Sequence, residues 1–321
     1  MKYYLAPMEG ITGYIYRNSY EKFFHNIDKY FTPFIVPNTS KSLKTKELRD
    51  ILPENNNKMN IVPQILTNDS DGFIVTCKKL KELGYEEVNL NLGCPAGTVV
   101  SKNRGSGFLA KRDELDRFLD EIFKINNVRI SVKTRIGKDS SEEFYELIKI
   151  YNKYEMEELI IHPRTREDFY GNTPNLKVFK DALELSKNTI CYNGDIFTTD
   201  NYNKIIQEFP NLNKVMIGRG ILANPGLINE IENKNTIDKK VLRDFHDEIL
   251  NNYLELYKDE KNTMFKMKEL WGYMIYIFSD NKKYAKKIKK SQKINDYKAA
   301  VSSLFLEQEI IKGAGLFSEN F

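Results

Sequence analysis

Short runs of apolar, β-branched and aromatic residues recur along the first two thirds of the chain, with helix-length segments between them. Continuous apolar runs of this length are typical of strands that are buried on both faces of a parallel sheet. Eight such strands alternating with helices predict an α/β fold, a (β/α)8 TIM barrel. The runs are YYLAPM from Tyr3, KYFTPFIV from Lys29, IVPQILT from Ile61, EEVNLNLGC from Glu86, RISVKTRI from Arg129, EELIIHPR from Glu157, TICYNGD from Thr189 and KVMIGRG from Lys214.

The segments between the runs show helical periodicity. In DGFIVTCKKLKELGY, the apolar positions from Phe73 to Leu83 fall on one face, and Gly84 follows as a helix stop. This pattern predicts an amphipathic helix that packs on the sheet and buries Cys77 in the core.

After Pro225 the strand pattern ends and the chain becomes helical throughout. The segments VLRDFHDEILNNYLELY and MFKMKELWGYMIYIF are followed by a lysine-rich stretch and a last amphipathic segment. The polar stretch 229–240 is the predicted junction between two domains. We therefore expect a barrel domain at 1–235 and an all-helical domain at 236–321.

Composition limits the class of protein. The chain has 321 residues, of which 41% are hydrophobic and 29% charged, as in globular proteins. Its three cysteines, Cys77, Cys94 and Cys191, and three histidines form no familiar zinc spacing. MKYYLAPMEG lacks the apolar region of a signal peptide, and no apolar stretch is long enough to span a bilayer. We expect a cytoplasmic monomer without metal or membrane attachment.

Positive charge is concentrated in one stretch of the helical region, although the net charge of the chain is only +4. Clustered lysines bind phosphates by releasing counterions, and tyrosines among them, Tyr284 and Tyr297, offer stacking surfaces for unpaired bases. The stretch alone leaves two alternatives open, an RNA-binding surface and an ordinary solvated helix face. The lysines are Lys282, Lys283, Lys286, Lys287, Lys289, Lys290, Lys293 and Lys298.

Polar residues stand where the predicted strands end, which is where TIM barrels place their active sites. Burying these groups without partners costs on the order of several kcal/mol each, so we expect a polar ligand to pair with them. The glycine turns after the last two strands, with Arg219, predict a phosphate-bearing cofactor. In chain order the strand-end residues are Pro7, Met8, Gln64, Asn91, Cys94, Lys133, His162, Arg164, Asn193, Gly194, Asp195, Gly218 and Arg219.

Seven motifs in order give the chain a specific likeness. Together they resemble the tRNA-dihydrouridine synthases, a family of flavoproteins with an FMN-binding barrel and a C-terminal helical domain. The motifs are APMEGIT at Ala6, PQILTND at Pro63, VNLNLGCPAGTVV with KNRGSGFLA from Val88, VKTRIG at Val132, IHPRT at Ile161, YNGDI at Tyr192 and IGRGILANP at Ile217.

The resemblance implies NADPH-driven reduction of the C5=C6 bond of a uridine in tRNA. In the family, a hydride passes from N5 of FMN to C6 of the uracil, and the cysteine of the GCP loop, here Cys94, protonates C5. A thiol with an ordinary pKa of about 8.5 is mostly protonated at neutral pH, which suits a general acid.

The resemblance also assigns the other residues. It implies that Lys133 faces the pyrimidine side of the flavin, that Gln64 pairs with its polar edge and that His162 lies beside them. The FMN phosphate side would be held by Asn193, Gly194, Asp195, Gly218 and Arg219, with Pro7 and Met8 in contact. The tRNA would meet Asn91 and Tyr170 at the target uridine, Arg164 at a nearby phosphate, and Lys286, Lys287 and Lys290 on the helical domain.

Three positions depart from the family pattern. Gly13 stands where an aspartate is usual, Pro33 where a glutamate is usual, and REDFYG lacks the glutamine common before the tyrosine. These departures bear on the subfamily and the target nucleotide and leave the flavin site and Cys94 intact. Two other classes stay open: an FMN-dependent dehydrogenase of the dihydropyrimidine or dihydroorotate type that acts on a free small molecule, and a non-catalytic RNA-binding protein. His25 and His246 lie outside the motifs and are expected to have no catalytic role.

Overall fold

Nine short parallel strands form one sheet that closes on itself. The computed structural model describes residues 1–38, 43–56, 58–125, 128–232 and 234–315. The strands are β1 (Lys2–Leu5), β2 (Lys29–Phe31), β3 (Ile61–Val62), β4 (Gln64–Ile65), β5 (Glu87–Leu92), β6 (Arg129–Gly137), β7 (Leu159–Thr165), β8 (Ile190–Tyr192) and β9 (Lys214–Ile217).

The nine strands occupy the eight positions of a TIM barrel. The sheet order is β3-β2-β1-β9-β8-β7-β6-β5-β4, and β3 and β4 are two halves of one strand divided at Pro63. Proline has no N–H to donate to a ladder, so the strand is interrupted there. β3 pairs with β2 and β4 pairs with β5, which closes the barrel. The predicted barrel is confirmed, with its third strand in two pieces.

Helices cover the outside of the barrel and form the C-terminal region. Strand Glu87–Leu92 shows why the sequence folds this way: Val88, Leu90 and Leu92 pack outward against the helices, whereas the alternate residues face the barrel interior. The α-helices are α1 (Tyr14–Phe24), α2 (Thr45–Ile51), α3 (Ser70–Glu82), α4 (Gly97–Val100), α5 (Arg112–Ile122), α6 (Phe144–Tyr151), α7 (Leu176–Leu185), α8 (Thr199–Glu208), α9 (Arg219–Ala223), α10 (Leu227–Ile231), α11 (Lys239–Tyr257), α12 (Glu260–Met274), α13 (Lys282–Lys290) and α14 (Ile294–Glu307). Shorter 3-10 turns lie at Pro53–Asn55, Gly105–Ala110, Ser141–Glu143 and Ile275–Ile277.

The predicted amphipathic helix is α3. It buries Phe73, Cys77 and Leu80 against the sheet. Gly84 follows with φ +93°, a left-handed conformation that glycine adopts at little cost. Cys77 is therefore a core residue, as expected, and Cys191 is also buried.

The barrel interior is closed at its lower end by ionic side chains. Lys29, at the start of β2, lies 2.7 Å from Glu87 and 2.6 Å from Glu158. The hydroxyl of Tyr4 donates a hydrogen bond of 2.9 Å to Glu158, and Lys214 lies 3.4 Å from the same carboxylate. These residues stand at the N-terminal ends of the strands, the face that contributes to stability in this fold.

The C-terminal helices pack directly on the barrel. Phe245 of α11 makes edge contacts with Tyr16, Tyr20, Phe23 and Phe24 of α1, at ring-centroid distances between 5.4 and 6.4 Å. Aromatic pairs of this geometry contribute about 0.5–1.5 kcal/mol each beyond their buried area. The boundary expected after residue 235 falls between α10 and α11, and as a domain boundary it stays a prediction.

Candidate active site

A cavity opens at the C-terminal ends of the strands, with about 460 Å³ of empty space continuous with solvent. Nine of the ten residues predicted to bind the cofactor line it, and so does Tyr170. The tenth, Gln64, lies buried outside the cavity lining. The complete lining is Ala6, Pro7, Met8, Lys133, His162, Tyr170, Asn193, Gly194, Asp195, Phe197, Gly218, Arg219 and Gly220.

The loop after β5 holds Cys94 in a braced position. Asn91 Oδ1 accepts hydrogen bonds from the N–H groups of Gly93, at 3.0 Å, and Cys94, at 2.9 Å. The Cys94 carbonyl accepts bonds of 3.1 Å from the Ser106 N–H and 2.8 Å from its hydroxyl. A side chain on Gly105 would lie 2.7 Å from that carbonyl, so only glycine fits there. Among the three cysteines, Cys94 alone is partly exposed.

The Cys94 thiol is set up to carry a proton. Burial raises the pKa of Cys94 above that of an ordinary thiol, against the opposing effects of the Ala96 N–H and of the charges on Arg135 and Lys133. A raised pKa keeps the group protonated at neutral pH, which is the state that a general acid requires.

Lys133 projects into the cavity without an anionic partner. No hydrogen bond or ion pair joins its ammonium to any residue in the described part of the chain. Burial and the nearby charge of Arg135 lower the pKa of Lys133 to about 8. The interior salt bridge that would make this lysine merely structural is not present among the described residues.

His162 is neutral, and its tautomer follows from its partner. Arg164 Nη1 lies 3.1 Å from His162 Nε2, and because a guanidinium only donates, Nε2 is the acceptor and the proton is on Nδ1. Burial lowers the pKa of His162 well below its ordinary value, and four nearby cationic side chains lower it further. The imidazole can therefore donate from Nδ1 without carrying charge.

Arg164 is an interior residue. It is fully buried, forms a two-pronged ion pair with Asp195 and donates a bond of 2.5 Å to the Asn172 carbonyl. The expected contact with an RNA phosphate does not fit this burial. Arg164 and Arg219 both bind Asp195, whose carboxylate therefore orients two guanidinium groups and has no capacity to face a phosphate directly.

Gln64 and Asn91 belong to one hydrogen-bond chain beneath the cavity. Gln64 donates from Nε2 to Asn89, at 2.8 Å, and accepts at Oε1 from Asn91, at 2.7 Å. Asn89 in turn donates to the Ser131 hydroxyl at 2.9 Å. The chain links β6 to the Cys94 loop, so both amides are engaged within the protein.

Sequence reasoning missed Arg135, the residue that joins two loops of the site. Its Nε donates to the Gly93 carbonyl at 3.0 Å, and its Nη1 and Nη2 donate to the carbonyls of Thr165 and Phe169 at 2.7 and 2.8 Å. The signal was present: Arg135 follows Lys133 by two residues on one strand, which puts both on the same face. A register shift in β6 after Arg135 helps to aim it at the loops.

The lysine-rich helix α13 exposes its lysines, whereas Tyr284 on this helix and Tyr297 on α14 point inward. Tyr284 and Tyr297 are buried, so the expectation that they offer stacking surfaces is wrong. Tyr284 bonds to Glu307, and Tyr297 accepts from Trp271 Nε1 at 2.8 Å and donates to His246 Nε2 at 2.7 Å. His246 is thereby a core residue. Lys286, Lys287 and Lys290 are exposed, and none of them forms an ion pair with a described residue.

The residues that line the cavity suit a polar ligand that carries a phosphate, such as a flavin nucleotide. Gly194 and Gly220 line the cavity, and neither turn has room for a side chain, which would lie 2.1 Å from the Tyr192 hydroxyl at Gly194 and 2.0 Å from the Ile196 carbonyl oxygen at Gly220. Arg219 adds positive charge on the same side. Lys133 and His162 supply donors for ring oxygens and nitrogens.

The described residues contain no cluster of three or more histidine, cysteine, aspartate or glutamate side chains that would hold a metal ion. Within the same ranges, no helix is both long and apolar enough to cross a membrane.

The family model for dihydrouridine synthase (Dus) matches residues 4–312. The chain belongs to the dihydrouridine synthase family. Curated relatives include a probable tRNA-dihydrouridine synthase of Staphylococcus aureus (strain COL), 27% identical over 85% of this chain and 83% of that protein. tRNA-dihydrouridine synthase B of Pasteurella multocida (strain Pm70) is 30% identical over 74% and 71% of the two chains.

These matches confirm the resemblance drawn from the seven motifs and the enzyme class expected from it, a tRNA-dihydrouridine synthase. Solved structures agree on the fold. Histamine dehydrogenase from Rhizobium sp. 4-9 has a TM-score of 0.54 at 14% identity, over 72% of this chain and 45% of that one. A morphinone reductase has a TM-score of 0.53 at 9% identity, over 75% and 89% of the two chains.

Proposed function

We propose that this member of the dihydrouridine synthase family reduces the C5=C6 bond of a uridine in tRNA with FMN as cofactor and NADPH as reductant. The observation that carries the proposal is a cavity containing an unpaired Lys133 and a neutral His162, with a partly exposed, protonated Cys94 outside its lining but near enough to interact electrostatically with Lys133. Bound FMN, reduced by NADPH, supplies the hydride that is added to C6 of the uracil.

Cys94 completes the reduction by donating its thiol proton to C5. One hydride and one proton saturate the double bond, and the thiolate that is left regains a proton from solvent. The Asn91 and Ser106 bonds fix the loop backbone, so the sulfur is held in place before the substrate arrives. The raised pKa keeps the proton on sulfur until the base is in position.

Lys133, His162 and the glycine turns would hold the cofactor. Lys133 provides the positive charge that stabilises an anionic flavin, and His162 donates from Nδ1. The backbone at Gly194 and Gly218, with Arg219 and Asn193, would bind the phosphate side, while Asp195 acts by orienting Arg219. Pro7 and Met8 would give apolar contact, and Gln64 would act through Asn91 and the Cys94 loop.

The lysines of α13 would bind the tRNA backbone. Tyr284 and Ile288 anchor the inner face of this helix, and the lysines cover the outer faces. A base must leave its stack to reach a cofactor inside a barrel mouth, so the enzyme needs a surface that holds the rest of the RNA meanwhile. Tyr170, at the cavity edge, would touch the target uridine.

The test is a comparison of tRNA from cells with and without this gene. We expect mass spectrometry to show one uridine position that lacks dihydrouridine when the gene is deleted. The purified protein should be yellow, release FMN on denaturation, and convert the tRNA from deleted cells in the presence of NADPH. Turnover of free pyrimidines with unchanged tRNA would support a small-molecule dehydrogenase instead, and a colourless protein would support a binding protein.

A further inference from the structure

An exposed phenylalanine stands at the rim of the cavity. Phe169 directly precedes the cavity-lining Tyr170, and 43% of its surface is accessible to solvent. The exposed part of the ring contributes nothing to packing, because apolar surface left in water gains nothing from burial. Its place at the mouth therefore requires another explanation.

The backbone holds Phe169 there in an uncommon conformation. Its φ is +47°, in the left-handed region that aromatic residues rarely adopt. Three contacts fix it: the Phe169 N–H donates to the Arg166 carbonyl at 3.1 Å, its carbonyl accepts from Arg135 at 2.8 Å, and Asp168 accepts from the Thr165 N–H at 2.7 Å. A residue kept in such a conformation by a buried arginine is typical of a functional site.

The surroundings of the ring favour a nucleobase as its partner. The Arg166 guanidinium lies 5.2 Å from the ring centroid and also pairs with Glu167, and 43% of the Phe169 surface stays accessible. Unpaired bases stack on aromatic rings and on guanidinium planes, and Phe169 and Arg166 offer one of each at the same place. When a target uridine is extruded, the bases beside it no longer have that uridine to stack on, and a ring at the rim can take its place.

Resting on the proposed function, we propose that Phe169 stacks on a base of the tRNA next to the target uridine. This side chain replaces the stacking that the neighbouring base gives up when the uridine enters the cavity. Arg135 supports it as a positioning residue, because the same guanidinium holds both the Phe169 carbonyl and the Cys94 loop. The rim and the proton donor are thereby fixed relative to one another.

The experiment compares Phe169→Ala, Phe169→Tyr and Phe169→Leu with Leu185→Ala. Leu185 is a matched control, since it is 46% exposed and ends α7 at the opposite end of the barrel. We expect Phe169→Ala to weaken tRNA binding by about 5- to 100-fold, the range for removal of one base stack. The tyrosine variant keeps the ring and should bind as the unaltered protein does, whereas the leucine variant should behave as the alanine variant.

Two further measurements separate stacking from other roles. FMN affinity and flavin reduction by NADPH in the absence of tRNA should be the same in all four variants, which would not hold if Phe169 merely supported the loop. On tRNA made without the base on one side of the mapped uridine, Phe169→Ala should cost nothing more. Equal tRNA binding by Phe169→Ala and Leu185→Ala, or full binding by Phe169→Leu, would overturn the proposal. Absence of dihydrouridine formation by the unaltered protein would instead overturn the proposed function.

Discussion

The barrel buries a lysine near each of its two ends, and their surroundings are opposite. At the lower end, burial alone would lower the pKa of Lys29, but the carboxylates of Glu87 and Glu158 outweigh it, so the pKa is raised. At the mouth, burial and Arg135 lower the pKa of Lys133 to about 8, with no carboxylate in compensation. Lys29 is therefore paired with carboxylates of the protein, whereas Lys133 has no ion-pair partner among the described residues.

The difference shows how one barrel separates stability from binding. A closed ionic group leaves no capacity for a ligand, and removing one member leaves its partners buried and unpaired. A charged side chain without a partner in the part of the chain that the structure describes, such as Lys133, keeps its donors available for a ligand. The same contrast holds for the buried histidines: His246 uses both ring nitrogens, bound to Asp247 and Tyr297, whereas His162 has Nδ1 available on the cavity side.

The largest expected effect is on catalysis at the mouth. We expect Cys94→Ala to lower the single-turnover rate of tRNA reduction by about 10²- to 10⁴-fold, the usual contribution of a general acid. FMN binding and the free energy of unfolding should stay unchanged, because the Cys94 side chain belongs neither to the ionic group at the lower end of the barrel nor to the cavity lining. Rapid-mixing measurement of flavin oxidation by tRNA tests the rate, with Cys191→Ala as a control for removal of a thiol. A normal rate in Cys94→Ala would remove the residue from its proposed role.

The next effect is on stability at the lower end. Lys29→Met should lower the free energy of unfolding by about 3–5 kcal/mol, since it leaves the buried Glu87 without an ion-pair partner and leaves Glu158 with only Tyr4 and Lys214. Denaturant titration of the FMN-free protein measures it. Lys149→Met, which removes an exposed lysine paired with Glu146, should leave the transition in place. If the two variants unfold alike, the lower network contributes little to stability.

Much of this fold was predictable, because strand and helix periods are local signals. Nine of the residues named from the seven motifs line one cavity. The partners of each residue were not predictable, since they depend on register across strands. Arg164 looked like a surface residue because the sequence does not show that Asp195 lies opposite it. The inward turn of Tyr284 could have been found from its spacing of four residues with Ile288, which marks the buried face of α13.

A smaller effect concerns how pH changes cofactor affinity at the mouth. Below a pH of about 8 Lys133 is charged in the FMN-free protein, and above it the charge is lost, so FMN affinity should fall as the pH rises from 7 to 9. Lys133→Met should bind FMN about 10- to 100-fold more weakly at pH 7, as for removal of one charged hydrogen bond. It should also show no such pH dependence. Fluorescence titration measures the FMN affinity of both proteins across this pH range. A constant affinity of the unaltered protein from pH 7 to 9 would contradict the role of the Lys133 charge in binding FMN.

The smallest expected effect lies outside the barrel, on α13. The lysines of this helix are exposed to solvent and form no ion pairs with the described residues. Replacing Lys286, Lys287 and Lys290 with glutamine should weaken tRNA binding several-fold at low salt. The salt dependence should also become flatter, by up to about one unit of log–log slope for each lysine that binds a phosphate. Glutamine keeps helix propensity close to that of lysine.

The matched control replaces the exposed Lys177, Lys180 and Lys187 with glutamine, which changes the net charge equally on another face. Equal slopes for the two triple variants would mean that total charge, and not this helix, attracts the RNA. A flatter slope in the α13 variant alone, with flavin reduction by NADPH unaltered, would place tRNA binding on a surface separate from the catalytic mouth.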